Sequence, residues 1–273
     1  MWYTAADVCV GNIRNHGTRV NLVAFSTNGR RFASASSDGL IKIWDADTCE
    51  CRMGLFGNAG TVNQVVFSAD GTLVAAAFSN GLVKIWRGRN ATSLQVLDGR
   101  CGSTEAVAFS TDGQILASGS IEGHPLLWDV ATGQIIQDLE AHGYSAVSMS
   151  FSGYGQQLAS SFANGTLMVW VTNMGYEPHV VEVRRIIRHL SFDPKPRNCL
   201  FADIGRLEIS PSGEARFPDY SLSADNCWIL KDGKRVLWIP LKYRSSLPGG
   251  PVVRGSMVGL VSDSGDILTM RFA

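Results

Sequence analysis

Five tryptophans, Trp2, Trp44, Trp86, Trp128 and Trp170, follow one another at a constant step of 42 residues. Phe25, Phe67, Phe109 and Phe151 keep the same step, and so do the turn glycines Gly39, Gly81, Gly123 and Gly165. A unit of that size cannot bury its own apolar face, so successive units must stack on one another. Within one cycle, VNLVAFSTNGRRFASASSDGLIKIW (residues 20–44), an alternating apolar stretch runs to Phe25 and Thr27-Asn28-Gly29 supplies a turn. FASAS follows, then Asp38-Gly39 as a tight hairpin signal, then LIKIW. A looser segment ending near a glycine completes four strands per cycle, here named d, a, b and c with a innermost. Strands b are rich in Ser, Ala and Gly, which lets neighbouring sheets approach closely.

This pattern predicts an all-β chain folded as a β-propeller in a single domain over residues 1–273. Four cycles are regular and three more are degenerate. LSFDP (190–194), CLFADIG and RLEIS form the fifth; SLSADNCWILKDGKRVLW forms the sixth, with Asp232 and Trp238 spaced as Asp38 and Trp44 are; SMVGLVSDSGDILTMRF forms the seventh, with Met270 at the Trp position. Seven blades are therefore expected. Residues 5–13 read as a strand d without its own a, b and c, and the last blade lacks a d. The expected solution closes the ring with the N-terminal strand and removes both sheet edges. Trp2 closes a cycle whose other strands are missing, which points to the C-terminal part of a longer ancestral protein.

Charge narrows the function classes. Lys and Arg number 24, as do Asp and Glu, so the formal net charge is zero and no broad field attracts nucleic acid. No run of 18 apolar residues is present, so no membrane insertion is expected. The six cysteines include no C-x-x-C pair; Cys9 and Cys51 are 42 apart and fall at equivalent places in different blades, too far to bridge. Free thiols and a cytoplasmic location follow. No metal site and no cofactor are expected, and there is no G-x-S-x-G elbow or H-E-x-x-H pair.

His16, Ser34, Asp38 and Trp44 have the residue types of a catalytic relay, but His142, Ser160, Asn164 and Trp170 hold the same offsets three cycles later. The third blade has Arg100, Ser118, Glu122 and Trp128, and the second keeps Asn58, Asn80 and Trp86 with Ala76 for the serine. A reaction needs its site once, whereas a staple is needed in every blade. These residues resemble the Asp-His-Ser/Thr-Trp network of the WD-repeat propellers. The resemblance implies a structural chain in which Asp38 fixes His16, His16 bonds Ser34, and Ser34 bonds the Trp44 indole. The family's Trp-Asp dipeptide stands at Trp44-Asp45 and Trp128-Asp129, while Trp86-Arg87 and Trp170-Val171 depart from it. The degenerate end, in LSFDP, ADIG and CWILKDGKRVLWIPLKYR, resembles the C-terminal propellers of fungal NACHT-type signalling proteins, including the vegetative-incompatibility group. Without a G-x-x-x-x-G-K-[ST] loop only a sensing or scaffolding role is implied.

Strand alternation puts the d–a loops and the b–c turns at one end of every blade. Positions there change between cycles while their flanks repeat: Arg19 becomes Thr61, Ser103 and Ser145, and Asn21 becomes Asn63, Glu105 and Val147. Variable loops on a repeated scaffold are where binding resides. Arg19, Asn21, Asn63, Arg100, Glu105 and Tyr144 are the expected contacts to a protein or peptide partner. The leading reading is a non-enzymatic scaffold or ligand-sensing module, acting as a monomeric ring. Alternatives are an adaptor in an organelle-associated complex such as mitochondrial fission, a propeller enzyme with an axial site, or a decayed remnant without a partner.

Overall fold

A computed structural model of the chain describes residues 2–3, 8–9, 16–57, 60–139, 141, 143–172, 178–183, 185–193, 199–209, 215–216, 220–223, 227–239, 252–254, 257–261 and 267–272. Among them there are strands and turns but no helix, and so none long enough to cross a membrane. The chain divides into two compact units, Met1–His142 and Gly143–Ala273.

The first unit opens with a short antiparallel pair, β1 (Trp2–Tyr3) and β2 (Val8–Cys9). The rest of the expected strand over 5–13 lies outside the described residues. Three four-stranded antiparallel sheets follow. The first holds β3 (Val20–Phe25), β4 (Arg31–Ser36), β5 (Leu40–Asp45) and β6 (Cys51–Phe56). The second holds β7 (Val62–Phe67), β8 (Leu73–Phe78), β9 (Leu82–Arg87) and β10 (Ser93–Asp98). The third holds β11 (Thr104–Phe109), β12 (Ile115–Ser120), β13 (Leu126–Asp129) and β14 (Ile135–Asp138). The a strands face one another, with β7 against both β3 and β11.

The core lies between sheets rather than within them. Ala33, Ala35, Ile41 and Ile43 of the first sheet pack on Val65, Ala76, Phe78 and Trp86 of the second; Ala75, Ala77, Val83 and Ile85 of the second pack on Val107, Leu116, Leu126 and Trp128 of the third. Strands b show the cause. In β4, β8 and β12 every residue after the first is buried, and most are Ala, Ser or Gly. Small side chains there let Ile, Leu and Trp from the neighbouring sheet fill the gap.

Glycine is required at the b–c hairpins. Gly39 has φ of 81°, and a Cβ on it would lie 2.6 Å from the carbonyl oxygen of Gly60 in the next d–a loop. Gly81 repeats this against Gly102 at 2.5 Å with φ of 87°. The period of 42 thus carries a contact between adjacent sheets as well as a turn.

In the second unit β15 (Ala146–Phe151), β16 (Gln157–Phe162), β17 (Thr166–Val171) and β18 (His179–Glu182) form a fourth sheet of the same plan. The degenerate end departs from the expected series of separate blades. β19 (Leu190–Phe192), β20 (Cys199–Ala202) and β21 (Gly205–Ile209) run on, in one sheet, into β23 (Tyr220–Leu222), β24 (Trp228–Lys231) and β25 (Lys234–Trp238), while β22 (Ala215–Arg216) pairs with β21. The junction is Gly205↔Ser221. Gly205 has φ of +132°, and a Cβ there would meet the Tyr220 carbonyl at 2.7 Å, so only glycine admits the join. β26 (Val252–Arg254), β27 (Met257–Val261) and β28 (Ile267–Arg271) form a three-stranded sheet.

Trp238 does not occupy a place like that of Trp44. Trp44 is 1% exposed and Trp238 49%. The Asp232-Gly233 hairpin forms, with positive φ at both residues and Lys231 opposite Lys234, but among the described residues β25 ends its sheet and no strand pairs with its outer side as β6 pairs with β5.

Candidate functional site

One irregularity recurs in all four regular sheets. The a–b register runs Val20↔Ser36 then Leu22↔Ala35, Val62↔Phe78 then Gln64↔Ala77, Thr104↔Ser120 then Ala106↔Gly119, and Ala146↔Phe162 then Ser148↔Ser161. The skipped residues are Asn21, Asn63, Glu105 and Val147. Each sits on a β-bulge, which takes a residue out of the ladder and re-aims its side chain. Beside each bulge the d–a loop is tied to the b–c turn: Ser37, Ser79, Ile121 and Ala163 donate backbone N–H to the carbonyls of Arg19, Thr61, Ser103 and Ser145 at 2.8–3.0 Å.

Two of the bulge residues meet. Asn63 Nδ2 donates to Ser103 Oγ at 3.0 Å, to the Thr104 carbonyl at 2.9 Å and to Glu105 Oε1 at 3.3 Å. Ser103 Oγ also donates to Glu105 Oε1 at 2.7 Å. Next to them Gln64 Oε1 accepts the Val107 N–H at 2.6 Å, so side chains of β7 bridge to the backbone of β11. Glu105 and Asn63 are each half-buried, whereas Arg19, Asn21, Arg100 and Tyr144 are exposed. No hydrogen bond or ion pair joins the side chains of those four to the Asn63–Glu105 pair among the described residues. Arg100 has φ of 53° and its N–H donates to Asp98 Oδ1 at 3.0 Å, an arrangement set by the loop.

The repeated His-Ser-Asp-Trp positions divide into two kinds. In the first sheet Trp44 Nε1 donates to Ser34 Oγ at 2.8 Å, and His16 Nε2 lies 2.6 Å from the same oxygen. In the third, Trp128 Nε1 donates to Ser118 Oγ at 2.8 Å. In the second and fourth sheets, Phe78 and Phe162 stand where the first and third have Ser36 and Ser120. Each phenyl ring meets its tryptophan edge-on, with centroids 6.4 and 6.3 Å apart. Ser160 Oγ is fully buried and finds no hydrogen-bond partner among the described residues. Trp170 is thus held by an aromatic contact, and Ser160 does not serve it as Ser34 serves Trp44. His142 lies outside the described residues. Asn164 accepts the Thr166 N–H at 3.0 Å and hydroxyl at 2.7 Å, which holds the turn.

Asp38 does not bond His16. Its carboxylate accepts the Ser36 hydroxyl at 2.5 Å and the Leu40 N–H at 3.1 Å, and these bonds hold its pKa below the ordinary carboxylate value. His16 Nδ1 is buried without a partner among the described residues. Burial, then the Lys42 charge, lower the His16 pKa against the opposing pull of Asp38. A neutral imidazole beside a hydroxyl and an indole fits a packing role.

Two further sets of repeated groups carry signals that spacing alone could have shown. Ser26, Ser68 and Ser110, at the period of 42, are buried and donate to Asn28, Asp70 and Asp112 at 2.6–2.9 Å, fixing the a–b turn. The Asp of each Trp-Asp dipeptide fixes the c–d turn: Asp45 Oδ1 accepts N–H groups of Asp47 and Thr48, and Asp129 Oδ1 accepts the N–H and hydroxyl of Thr132. The Thr48 N–H, then the Arg52 guanidinium, bring Asp45 down to about 2. Among the described residues no group of three or more His, Cys, Asp and Glu is placed to hold a metal ion.

Four consecutive segments of the chain, residues 7–45, 49–87, 91–129 and 133–171, match the family described as WD domain, G-beta repeat. Each matched segment ends one residue beyond a tryptophan of the 42-residue series. The curated proteins offer no match to the chain.

Proposed function

The chain belongs to the WD-repeat family, and from that premise we propose that it is a non-enzymatic module for protein–protein recognition that meets its partner through the bulge residues, Asn21, Asn63 and Glu105 in the first unit. WD repeats generally mediate such interactions. One observation carries this reading. Four sheets repeat the same bulge at the same register, yet its occupant is Asn in the first two (Asn21, Asn63), Glu105 in the third and Val147 in the fourth. A position built identically and filled differently is a scaffold for specific contacts. Because strands and turns hold these residues, little conformational entropy is lost on binding.

In this reading Arg19, Asn21 and Arg100 extend the face around the Asn63–Glu105 pair, Tyr144 is a contact on the second unit, and the module works in the cytoplasm as a monomer. The likeness of residues 190–244 to fungal NACHT-type propellers points to the sensing half of a signalling protein. Seven blades closed by the N-terminal strand belong to the same proposal. Three b–c hairpins, β20–β21, β24–β25 and β27–β28, follow the fourth sheet, one for each further blade. Removing residues 1–13 should then lower the melting temperature and promote aggregation; an unchanged soluble monomer would argue against closure.

The test of the partner face is affinity capture from the native cytosol, with the full chain and an Arg19→Ala/Glu105→Ala variant side by side. Partners held by the first and lost by the folded variant support the reading. An identical captured set refutes it.

A further inference from the structure

The second unit contains a cleft of about 240 Å³ lined by His189, Leu190, Ser191, Phe201, Ala202, Asp203 and Val253. It arises where β26 joins its neighbour in parallel: Ile204 bridges Val253, and the Val253 N–H donates to the Asp203 carbonyl at 2.9 Å. Asp203 stands opposite His189 at the end of the β19–β20 ladder, its N–H donating to the His189 carbonyl at 3.2 Å. The cleft is smaller than the roughly 300–1,000 Å³ typical of cofactor and drug-sized sites, so it suits a side-chain head group.

The Asp203 carboxylate is under-used. The Arg188 N–H reaches its two oxygens at 3.3 and 3.4 Å, beyond the distances of good hydrogen bonds, and the backbone N–H groups of Asp203 and His189 act on it more weakly. A carboxylate offers about four lone-pair sites. Burial is the largest influence on the group and raises its pKa, against the weaker opposing pull of the Arg188 N–H, the adjacent His189 charge and the backbone N–H groups of Asp203 and His189. The walls are partly apolar, with Leu190, Phe201 and Val253. An alkylammonium is strongly hydrated and would lose much of that hydration here. A guanidinium is planar and weakly hydrated, stacks on an aromatic ring, and can engage both oxygens of one carboxylate.

We propose that this cleft is a recognition site for an arginine side chain of a partner, with Asp203 as the bidentate acceptor and Phe201 against the guanidinium. The proposal rests on the cleft residues alone and does not depend on the reading of the bulge positions as a partner face.

The test uses the full chain and N-acetyl-arginine methylamide as probe, with the neutral citrulline analogue as its near-isosteric control. Titration is followed through the amide resonances of Arg188 and Asp203. The arginine probe should give saturable shifts, the citrulline analogue should bind at least about tenfold more weakly, and Asp203→Asn should lose a similar factor. Equal binding of the two probes to the unmodified chain overturns the proposal without any variant. Undiminished arginine binding by a folded Asp203→Asn protein overturns it as well, and so does an absence of saturable binding. Glu105→Ala should bind the probe as the unmodified chain does, which separates this site from the bulge positions.

Discussion

Replacing the matched serines Ser34, Ser118 and Ser160 by alanine, one at a time, should give three different outcomes from one chemical change. Ser34 Oγ accepts the Trp44 indole N–H at 2.8 Å and lies 2.6 Å from His16 Nε2. Trp44 is 1% exposed, so its stranded N–H has no water to turn to. Leaving a buried donor unsatisfied costs about 1–3 kcal/mol, and the second bond adds about 1 kcal/mol, so Ser34→Ala should lose about 2–4 kcal/mol. Among the described residues the Ser118 hydroxyl makes only the Trp128 bond, so its loss should be about 1–3 kcal/mol. Ser160 is fully buried with no partner among the described residues, and its hydroxyl already bears a burial cost. Ser160→Ala should be neutral or stabilising by up to about 1 kcal/mol. The second repeat makes this substitution by itself, with Ala76 at the same position and Phe78 beside Trp86. The assay is urea unfolding followed by tryptophan fluorescence and circular dichroism, comparing midpoints at unchanged slope. If Ser160→Ala costs as much as Ser34→Ala, the division into hydroxyl-held and phenyl-held tryptophans is wrong.

Gly39→Ala should destabilise far more than Gly29→Ala. Both glycines have positive φ, which costs an L-residue about 1–2 kcal/mol, but only at Gly39 would the new Cβ also strike a backbone carbonyl, at 2.6 Å; similar midpoints would count against the inter-sheet contact. Acid should weaken the fold through Asp38, Asp45, Asp70, Asp112 and Asp129, all with lowered pKa values because turn N–H and hydroxyl groups bond the charged form. Their contribution is complete above the ordinary value of 3.8 and is lost as pH falls through the folded values, about 2 for Asp45. Asp203, with a raised pKa, runs the other way. Asp45→Asn should flatten the acid limb of a stability–pH curve, and an unaltered limb would show that the c–d turn does not use the charge. Trp238→Ala should cost less than Trp44→Ala, for which large aromatic truncation in a core predicts about 3–5 kcal/mol, since Trp238 is half exposed. Equal losses by denaturant titration would place Trp238 in a core after all.

The recurrence of Trp44, Trp86, Trp128 and Trp170 with their turn glycines determined four sheets, their strand order and the location of the core. These are consequences of local alternation and of a unit too small to bury its own face. That information is present in every repeat, so it is legible in any one of them. Tertiary structure alone decided three other things. The bulges at Asn21, Asn63, Glu105 and Val147 depend on how strand a pairs with strand b, and an extra residue in one strand leaves no mark on its own sequence pattern. The choice between a hydroxyl and a phenyl partner for each tryptophan depends on Phe78 and Phe162, two residues past the expected serine. Finally, β19–β25 merge into one sheet because Gly205 lets two backbones approach where a side chain would keep them apart; pairing is settled between strands, and the strands themselves do not encode their neighbour.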